Sequence, residues 1–265
     1  MLSPSSRPGR GRRITIVFNP VAGARRHRRL ERLVTALDAD GWHVAVVGTN
    51  GPGDATVLAA QAVRAGVDAI AAAGGDGTIN EVVRGMHGSG VPLGIVPMGT
   101  ANVLAAEFGL SRRPSEIASV FARGTVRRLH LPQVNGVPFL LMVGAGFDGR
   151  VVAMVTPPLK RRYGKAAFAG QGLRALAATV TSPLAIETDG VGHTADWAVV
   201  TNVSRYGGPY RIAPGANPGD ASLTAVLFRS GLRAAMVGHL LRIGAGRVLP
   251  CAGISVVQAS SIRIS

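Results

Sequence analysis

Apolar runs and amphipathic helix patterns alternate along the first half of this chain, and this alternation restricts its fold more than any other feature. Four short apolar runs predict strands: Ile14–Phe18, His43–Val47, Asp68–Ala73 and Leu93–Val96. Between these runs, apolar residues recur at the spacing of one helix face: Leu30, Leu33, Val34 and Leu37; then Ala55, Leu58, Ala59 and Ala62; then Ile79, Val82, Val83 and Met86. A βαβαβαβ order of this kind predicts a doubly wound α/β domain, with a parallel sheet and helices on both faces.

The second half of the chain has a different pattern, in which strand-like runs follow one another with few helices between them. The strand-like segments are FLLMV (139–143), LAIET (184–188), WAVVTN (197–202), LTAVLF (223–228) and ISVV (254–257). Only Lys165–Thr179 and Arg233–Ile243 are typical of helices. Runs of strands without alternating helices predict a mostly antiparallel β domain. We therefore expect a disordered basic tail (1–12), an α/β domain (13–128) and a β-rich domain (129–265).

The chain is strongly basic, with 29 basic residues, 14 acidic residues and a formal net charge of +15. Such a charge attracts nucleotide phosphates, anionic lipid headgroups and nucleic acid alike, although genome composition can also enrich arginine. Aromatic residues make up 5% of the chain, which is too few for a base-stacking surface, so no specific nucleic-acid partner is expected. Cys251 is the single cysteine, and no apolar run approaches the roughly 20 residues that span a bilayer. We expect a cytoplasmic protein with peripheral contact to anionic membranes.

A glycine-rich segment, Gly74-Gly75-Asp76-Gly77-Thr78, follows the third predicted strand and precedes a helix. Ligands of a parallel sheet bind beyond the carboxyl ends of its strands, and glycines let backbone N–H groups approach phosphate oxygens. The N-terminus of the following helix adds its positive dipole end. The carboxylate of Asp76 would repel phosphates unless a divalent cation lay between them, so the segment favours a magnesium nucleotide. A tight turn with a helix cap is the alternative, because Asp and Thr both cap helices well.

Two further polar loops follow other strands of the same predicted sheet. Asn19–Gly23 (NPVAG) follows the first strand, and Pro97–Asn102 (PMGTAN) follows the fourth. Because the carboxyl ends of parallel strands lie at one edge of a sheet, the three loops would converge there. The basic run Arg25–Arg29 lies beside the first loop, and it predicts either a solvated helix start or a group that attracts ATP.

Together these loops make the chain resemble the diacylglycerol kinase catalytic-domain family, which includes bacterial lipid kinases and sphingosine kinases. The matching residues are Asn19-Pro20 and Gly23; Thr49 with Gly53-Asp54-Ala55; Gly74 to Thr78 with Asn80-Glu81; and Pro97, Gly99-Thr100 and Asn102. The resemblance continues through VGAGFDGRV (143–151), LKRRYGKAAF (159–168) and YGGPYRIAPGANPGDASL (206–223). The GGDGT segment alone also occurs in NAD kinases and phosphofructokinases, whereas the combined set is typical of the lipid kinases.

The resemblance implies transfer of a phosphoryl group from ATP, with Mg²⁺, to the hydroxyl of a lipid such as diacylglycerol. The ATP-binding residues that it implies are Asn19, Thr49, Gly74, Gly75, Asp76, Gly77, Thr78, Asn80, Glu81, Gly99, Thr100 and Asn102. Within this set, Asn19 and Asn102 would orient the loops, and Asp76 would be the catalytic carboxylate of a magnesium–phosphate network. The resemblance also implies a structural magnesium site in the second domain, formed by Asp220 and by backbone carbonyls near Asn217 and Ser222. The β-rich domain would supply an apolar groove for the acyl chains.

The chain departs from the family pattern at several functional positions. The substitutions are Val103 for the aspartate of GTAND, His130 for an aspartate after the first domain, and Ala221 for the glycine that follows Asp220. No Asp or Glu follows Asp220, and the general base of the family belongs to a DGE segment that would begin near Ser265. We therefore expect either a truncated form of a longer kinase or a poor catalyst that still binds nucleotide, with Asp148 as the nearby substitute for the base.

Other catalytic patterns are absent from the sequence. There is no G-x-x-x-x-G-K-[ST] segment, and Gly144–Gly149 (GAGFDG) lacks the acidic residue that a dinucleotide site needs about 20 positions further on. The histidines lack metal-ligand spacing, and no nucleophile elbow is present. Two alternatives to a lipid kinase stay open, namely an NAD kinase-like enzyme and a non-catalytic protein that binds nucleotide or lipid. A homodimer is compatible with the sequence.

Overall fold

The computed structural model of this protein describes residues 11–22, 26–123, 126–154, 172, 183–208, 210–229, 233–246 and 251–265. The chain divides into two compact units, Met1–Leu140 and Leu141–Ser265. The division falls later than the boundary predicted between residues 128 and 129, because a short hairpin after that point is bound to the first unit. Its carbonyl at Pro138 accepts a hydrogen bond from Nε of Arg84 at 3.0 Å. Within the described ranges, no helix combines the length and the apolar character that crossing a membrane requires.

The first unit contains a parallel sheet of four strands in the order β2-β1-β3-β4, which confirms the predicted α/β fold. Its strands are β1 (Arg12–Phe18), β2 (Trp42–Gly48), β3 (Ala69–Gly74) and β4 (Leu93–Pro97). Its helices are α1 (Arg26–Ala39), α2 (Asp54–Arg64), α3 (Asp76–Gly85), α4 (Val103–Glu107) and α5 (Pro114–Arg123), and the hairpin consists of β5 (Gln133–Val134) and β6 (Val137–Pro138). The predicted basic tail (1–12) lies outside the described residues up to residue 10, and its last residue, Arg12, already belongs to β1.

Side-chain alternation along β1 and β3 explains why helices cover both faces of the sheet. Ile14, Ile16 and Phe18 point to the face that packs against Leu33 and Leu37 of α1 and against α5. The intervening residues of β1 and β3 are also buried, and α2 and α3 cover that second face. The strand that follows β1 in the chain, β2, lies on one side of it, whereas β3 and β4 lie on the other side. The order in which strands are added to the sheet therefore reverses between β1 and β3. This is the topological switch point at which open α/β sheets bind ligands.

The second unit is mostly antiparallel, as predicted. One sheet has the order β14-β13-β10-β7 and another the order β15-β8-β9, with a small β11-β12 pair. The strands are β7 (Met142–Gly146), β8 (Leu184–Thr188), β9 (Val191–Ala195), β10 (Trp197–Thr201), β11 (Arg205–Tyr206), β12 (Tyr210–Arg211), β13 (Leu223–Phe228), β14 (Ile254–Ala259) and β15 (Ile262–Ile264). The helices are α6 (Phe147–Met154) and α7 (Arg233–Gly244). The predicted helix Lys165–Thr179 falls outside the described residues apart from residue 172.

Two apolar layers enclose the four-stranded sheet of the second unit. On one face, Trp197 stacks on Phe228 at a centroid distance of 3.7 Å, and α6 and α7 complete that layer. On the other face, Ala198 and Leu227 pack against Ile186 of β8. The predicted strand FLLMV was wrong at its start, since β7 begins only at Met142.

Candidate active site

The loops at the carboxyl end of the parallel sheet come together at its switch point, as their order along the chain predicted. Asn19 directly follows β1, Gly75 follows β3, and Gly99 lies just after β4. The backbone of the β4 loop is bound to the end of β3, because the N–H groups of Met98 and Gly99 both donate to the carbonyl of Gly74, at 2.9 and 3.2 Å. The β1 loop is bound there too, through the N–H of Asn19 and the carbonyl of Ala73 at 2.9 Å.

The β3 and β4 loops pack backbone against backbone at two glycines. A Cβ built on Gly99 would overlap the Cα of Gly75, and a Cβ built on Gly75 would lie 3.3 Å from the Cα of Gly99. The glycine at position 99 is therefore required by this close approach rather than by an unusual φ angle. The two loops therefore meet at the start of α3, and a helix N-terminus beside a glycine-rich loop is the kind of surface that binds phosphate oxygens.

Asn19 and Thr78 connect the β1 loop to the first turn of α3. The side-chain amide of Asn19 donates to Oγ1 of Thr78 at 3.0 Å, while its Oδ1 accepts from the N–H of Val21 at 3.0 Å. Thr78 is buried, and a side chain at Gly74 would collide with it. Asn19 thus holds the loop conformation with both ends of its amide, and its role toward ATP stays a prediction.

Asn102 plays the corresponding part in the β4 loop. Its Oδ1 accepts from the N–H of Gly99 at 2.8 Å, and its Nδ2 donates to the carbonyl of Gly99 at 2.7 Å. Asn102 is 3% exposed and has a φ of 48°, a left-handed conformation that asparagine tolerates better than most residues. Both ends of this side chain are engaged within the loop.

Asp76 and Gly77 form the first residues of α3 beside the paired glycines. Oδ1 of Asp76 accepts from the N–H of Leu104 at 3.3 Å, so this carboxylate joins the start of α3 to the start of α4. Asp76 is partly exposed, which leaves carboxylate oxygen for a cation. Gly77 is exposed, and a Cβ built on it would meet nothing within 4 Å. Open space therefore surrounds the Cβ position of Gly77 in the first turn of α3.

The remaining predicted nucleotide residues are distributed around this centre. Thr49 is buried at the end of β2 and Thr100 is exposed in the β4 loop. Asn80 and Glu81 point elsewhere. Oδ1 of Asn80 accepts from the N–H of Leu140 at 2.8 Å, and Oε2 of Glu81 accepts from the N–H of Gly53 at 3.1 Å. Their nucleotide roles stay predictions, since these contacts join α3 to the segment that follows the hairpin and to the β2–α2 loop.

The predicted metal loop of the second unit brings Asn217 and Asp220 together. Nδ2 of Asn217 donates to Oδ1 of Asp220 at 3.0 Å, and Oδ1 of Asn217 accepts from the N–H of Gly219 at 3.0 Å. Ser222 lies just before β13. Asp220 supplies the one charge of this loop, and the described residues include no cluster of three His, Cys, Asp or Glu suited to a metal. Magnesium binding there stays a prediction, as does the role of Asp148, whose side chain is outside the described part.

Two arginines beside the β4 loop are functional candidates that the sequence did not single out as a pair. Arg29 of α1 donates to the carbonyls of Pro97 and Arg112, at 3.2 and 2.8 Å. Arg112 donates to the carbonyl of Gly99 at 3.1 Å. Burial lowers the pKa of the Arg29 guanidinium from its ordinary value, and repulsion from Arg112 lowers it further. No sequence pattern could reveal this pair, because 83 positions separate its members.

The arrangement suits transfer of a phosphoryl group. Phosphoryl transfer depends mainly on positioning and on neutralising charge. The N-terminus of α3, the carboxylate of Asp76 and the guanidiniums of Arg29 and Arg112 are groups of the kind that this reaction uses. A single carboxylate also fits Mg²⁺, which is usually bound by one or two carboxylates together with substrate phosphates. The departures at Val103 and His130 fall on a buried and an exposed position respectively.

Sequence comparison identifies relatives of both units. The family described as "Diacylglycerol kinase catalytic domain" matches residues 13–134, and the "YegS C-terminal NAD kinase beta sandwich-like domain" matches residues 141–265. A diacylglycerol kinase of Bacillus subtilis (strain 168) is 30% identical over 224 residues, which cover 82% of this chain and 74% of that protein. A diacylglycerol kinase of Mycobacterium tuberculosis (strain H37Rv) is 28% identical over 267 aligned positions, covering 95% and 84%.

Structure comparison agrees with these relatives. The crystal structure of a diacylglycerol kinase from Bacillus anthracis str. Sterne superimposes with a TM-score of 0.74 and 27% identity, over 96% of this chain and 85% of that chain. The matched regions include the loops at the carboxyl end of the parallel sheet as well as the antiparallel second unit. Both halves of the chain, the glycine loops that join at the switch point and the antiparallel unit that follows, therefore assign this protein to the diacylglycerol kinase catalytic-domain family.

Proposed function

We propose that this protein is a lipid kinase that transfers the terminal phosphoryl group of magnesium ATP to the hydroxyl of a diacylglycerol-like lipid. The observation that carries the proposal is the contact between Gly75 and Gly99, with Asp76 beside it at the start of α3. The contact lies at the N-terminus of α3, at the carboxyl end of the parallel sheet, where such sheets bind ligands. Family membership supports the kinase activity and the lipid acceptor.

In this proposal the residues of the first unit divide the work at the phosphates. The backbone from Gly74 to Thr78 binds phosphate oxygens at the N-terminus of α3, where the helix dipole favours negative charge. Asn19 and Asn102 hold the two flanking loops in the shape that this requires. Thr49 and Thr100 complete the nucleotide site as proposed contacts. Because hydrogen bonds of Asn19 and Asn102 already hold the two flanking loops, few loop residues need to become ordered when the nucleotide binds.

Asp76 is the residue that we propose for magnesium. The ion would neutralise phosphate charge in the transition state, which is the contribution that metals make to this class of reaction. One oxygen of Asp76 accepts from the N–H of Leu104, so the orientation of the carboxylate is fixed by the start of α4. The second proposed magnesium site, at Asp220, would instead stabilise the loop between Asn217 and Ser222.

A direct assay tests the activity. The purified chain is incubated with magnesium ATP and vesicles that contain diacylglycerol, monoacylglycerol or a sphingoid base, and phosphorylated lipid is measured by mass spectrometry. We expect one lipid class to be phosphorylated. Nucleotide binding without any lipid product would favour the non-catalytic alternative, and phosphorylation of NAD would favour the NAD kinase-like alternative.

We also propose peripheral contact with an anionic membrane. The supporting observations are the net charge of +15 and the outer face of α7, where Leu241 is 68% exposed and Val237 is 43% exposed. Each basic residue near an anionic surface contributes about 1 kcal/mol. Binding to vesicles with anionic lipid should therefore weaken steeply as salt is added, and sedimentation measures this binding. Salt-independent binding would point to the apolar side chains instead.

Light scattering of the same sample tests whether the protein is a homodimer.

A further inference from the structure

Arg112 lies at the edge of the phosphate-binding backbone and retains unused hydrogen-bonding capacity. One of its terminal nitrogens donates to the carbonyl of Gly99 at 3.1 Å, and Gly99 packs against Gly75 at the start of α3. A guanidinium has five N–H donors, and Arg112 is exposed. Most of its donors are therefore left for a ligand.

Arg29 holds the backbone of Arg112 in place. It is half-buried, and its terminal NH2 nitrogen donates to the backbone carbonyl of Arg112 at 2.8 Å and to that of Pro97 at 3.2 Å. These bonds tie α1 to the end of β4 and to the segment before α5. The backbone of Arg112 is thus fixed relative to the sheet edge, whereas a surface loop would ordinarily leave it free.

The two arginines form a cationic pair without a carboxylate. Within the described part of the chain, neither Arg29 nor Arg112 forms an ion pair. Burial lowers the pKa of Arg29, and repulsion from Arg112 lowers it further. The adjacent Arg113 differs, because its guanidinium pairs with Glu116 at 3.1 Å. Positioning two like charges side by side is unfavourable in the free protein. An anion bound there would relieve the repulsion and form charge-assisted hydrogen bonds.

We propose that Arg112 contacts the polyphosphate chain of the donor nucleotide and that Arg29 is its positioning residue. The pair would make affinity depend on the number of phosphates, so that the protein selects a nucleoside triphosphate over a monophosphate. This inference rests on the proposed function, since it assigns the nucleotide to the backbone between Gly74 and Thr78. A solvated arginine that only braces the β4 loop is the alternative.

Affinity for ligands of increasing phosphate number separates these two roles. Calorimetry on the full chain with magnesium compares ATP, ADP, AMP, adenosine and inorganic tripolyphosphate. Arg112→Gln should weaken ATP and tripolyphosphate about ten- to hundredfold, the range expected for a lost hydrogen bond between charged groups. The loss should be smaller for AMP and absent for adenosine. Arg113→Gln is the matched control, because it removes the same charge one position away and should change none of the affinities.

Arg29→Lys tests the positioning role, because it keeps the charge but loses the planar fork. We expect a smaller loss of ATP affinity and a lower Tm of the ligand-free protein. An equal loss for all four nucleosides and nucleotides, or an equal effect of Arg113→Gln, would overturn the proposal. If the unmodified chain binds tripolyphosphate but not ATP, and Arg112→Gln weakens that binding, the anion subsite is supported and the assignment of ATP as the donor is wrong. If it binds neither, both assignments fail.

Discussion

Replacing Gly77 by alanine should stabilise the protein and at the same time weaken nucleotide binding. Gly77 is the second residue of α3, and it is exposed. An added Cβ would meet no atom within 4 Å, so the substitution introduces no steric conflict. Alanine is favoured over glycine inside a helix by about 0.5–1 kcal/mol. A gain of that size would raise Tm by about 1–4 °C in a protein of this length.

The effect on ATP has the opposite sign for a local reason. The open space over Gly77 is where the proposed function puts phosphate oxygens, so the new methyl group would prevent close approach to the backbone N–H. Loss of one hydrogen bond to a charged group costs about 1.5–3 kcal/mol, which corresponds to a roughly ten- to hundredfold weaker affinity. Stability and affinity therefore change in opposite directions, a combination that general damage to the fold does not produce.

Thermal unfolding of the ligand-free protein and calorimetry with magnesium ATP measure the two quantities. Gly192→Ala is the control, because Gly192 lies in β9 of the second unit, likewise with open space around its Cβ position. It should leave ATP affinity unchanged. Unchanged ATP affinity in Gly77→Ala together with a higher Tm would refute the phosphate assignment at the N-terminus of α3. A lower Tm would refute the assignment of Gly77 to the first turn of α3.

Four further substitutions address three neighbouring residues. Gly99→Ala should destabilise the first unit by about 1–3 kcal/mol, as overpacking usually does, because its Cβ would overlap the Cα of Gly75; denaturant unfolding measures this, and a neutral result would contradict the close approach. Asn102→Ala should lower the free energy of unfolding by about 2–3 kcal/mol, since it removes two hydrogen bonds and places alanine in a left-handed conformation. Asn102→Gly should lower it less, because glycine accepts that φ. Equal losses of stability in the two variants would show that φ is unimportant at this position. Asp76→Asn should leave the fold intact, because the amide oxygen can still accept from Leu104, but should lower the kinase rate by orders of magnitude at saturating magnesium ATP; full turnover would reduce Asp76 to a helix cap.

Periodicity was sufficient to predict the parallel sheet, because local sequence and tertiary burial agree there. β1 alternates between two buried faces, and the apolar stripe of α1 covers one of them. Agreement between the local sequence pattern and tertiary burial allows a fold to be predicted from sequence. The start of β7 could not be predicted in this way. Leu141 has a φ of 97°, and its backbone N–H and carbonyl bond to Asn202 and Thr201, which lie far along the chain. Distant partners, and not the apolar run itself, decide where this strand begins.

The candidate site shows the same division between local and distant information. The glycine loops were predictable because each follows its own strand. The contact between Gly75 and Gly99 was not, although both glycines were singled out. The resemblance implied nucleotide roles for Asn80 and Glu81, and these roles stay predictions; the hydrogen bonds that their side chains accept from the N–H groups of Leu140 and Gly53 were not predictable from sequence. Sequence position indicates which helix a residue belongs to, whereas the direction of its side chain depends on what packs around that helix.

The departure at Val103 links the chemistry of the site to its fold. Val103 is 4% exposed at the start of α4, and a carboxylate at that depth would be costly unless it were paired. The N–H of the next residue, Leu104, donates to Asp76. Asp76 therefore both joins the two helix starts and supplies the carboxylate of the loops, while Arg29 and Arg112 supply two positive charges beside them. The side chains of Asp76, Arg29 and Arg112 together carry a formal charge of +1. This balance favours the proposed ligand, a nucleoside triphosphate that stays negatively charged even with magnesium bound, over a neutral nucleoside.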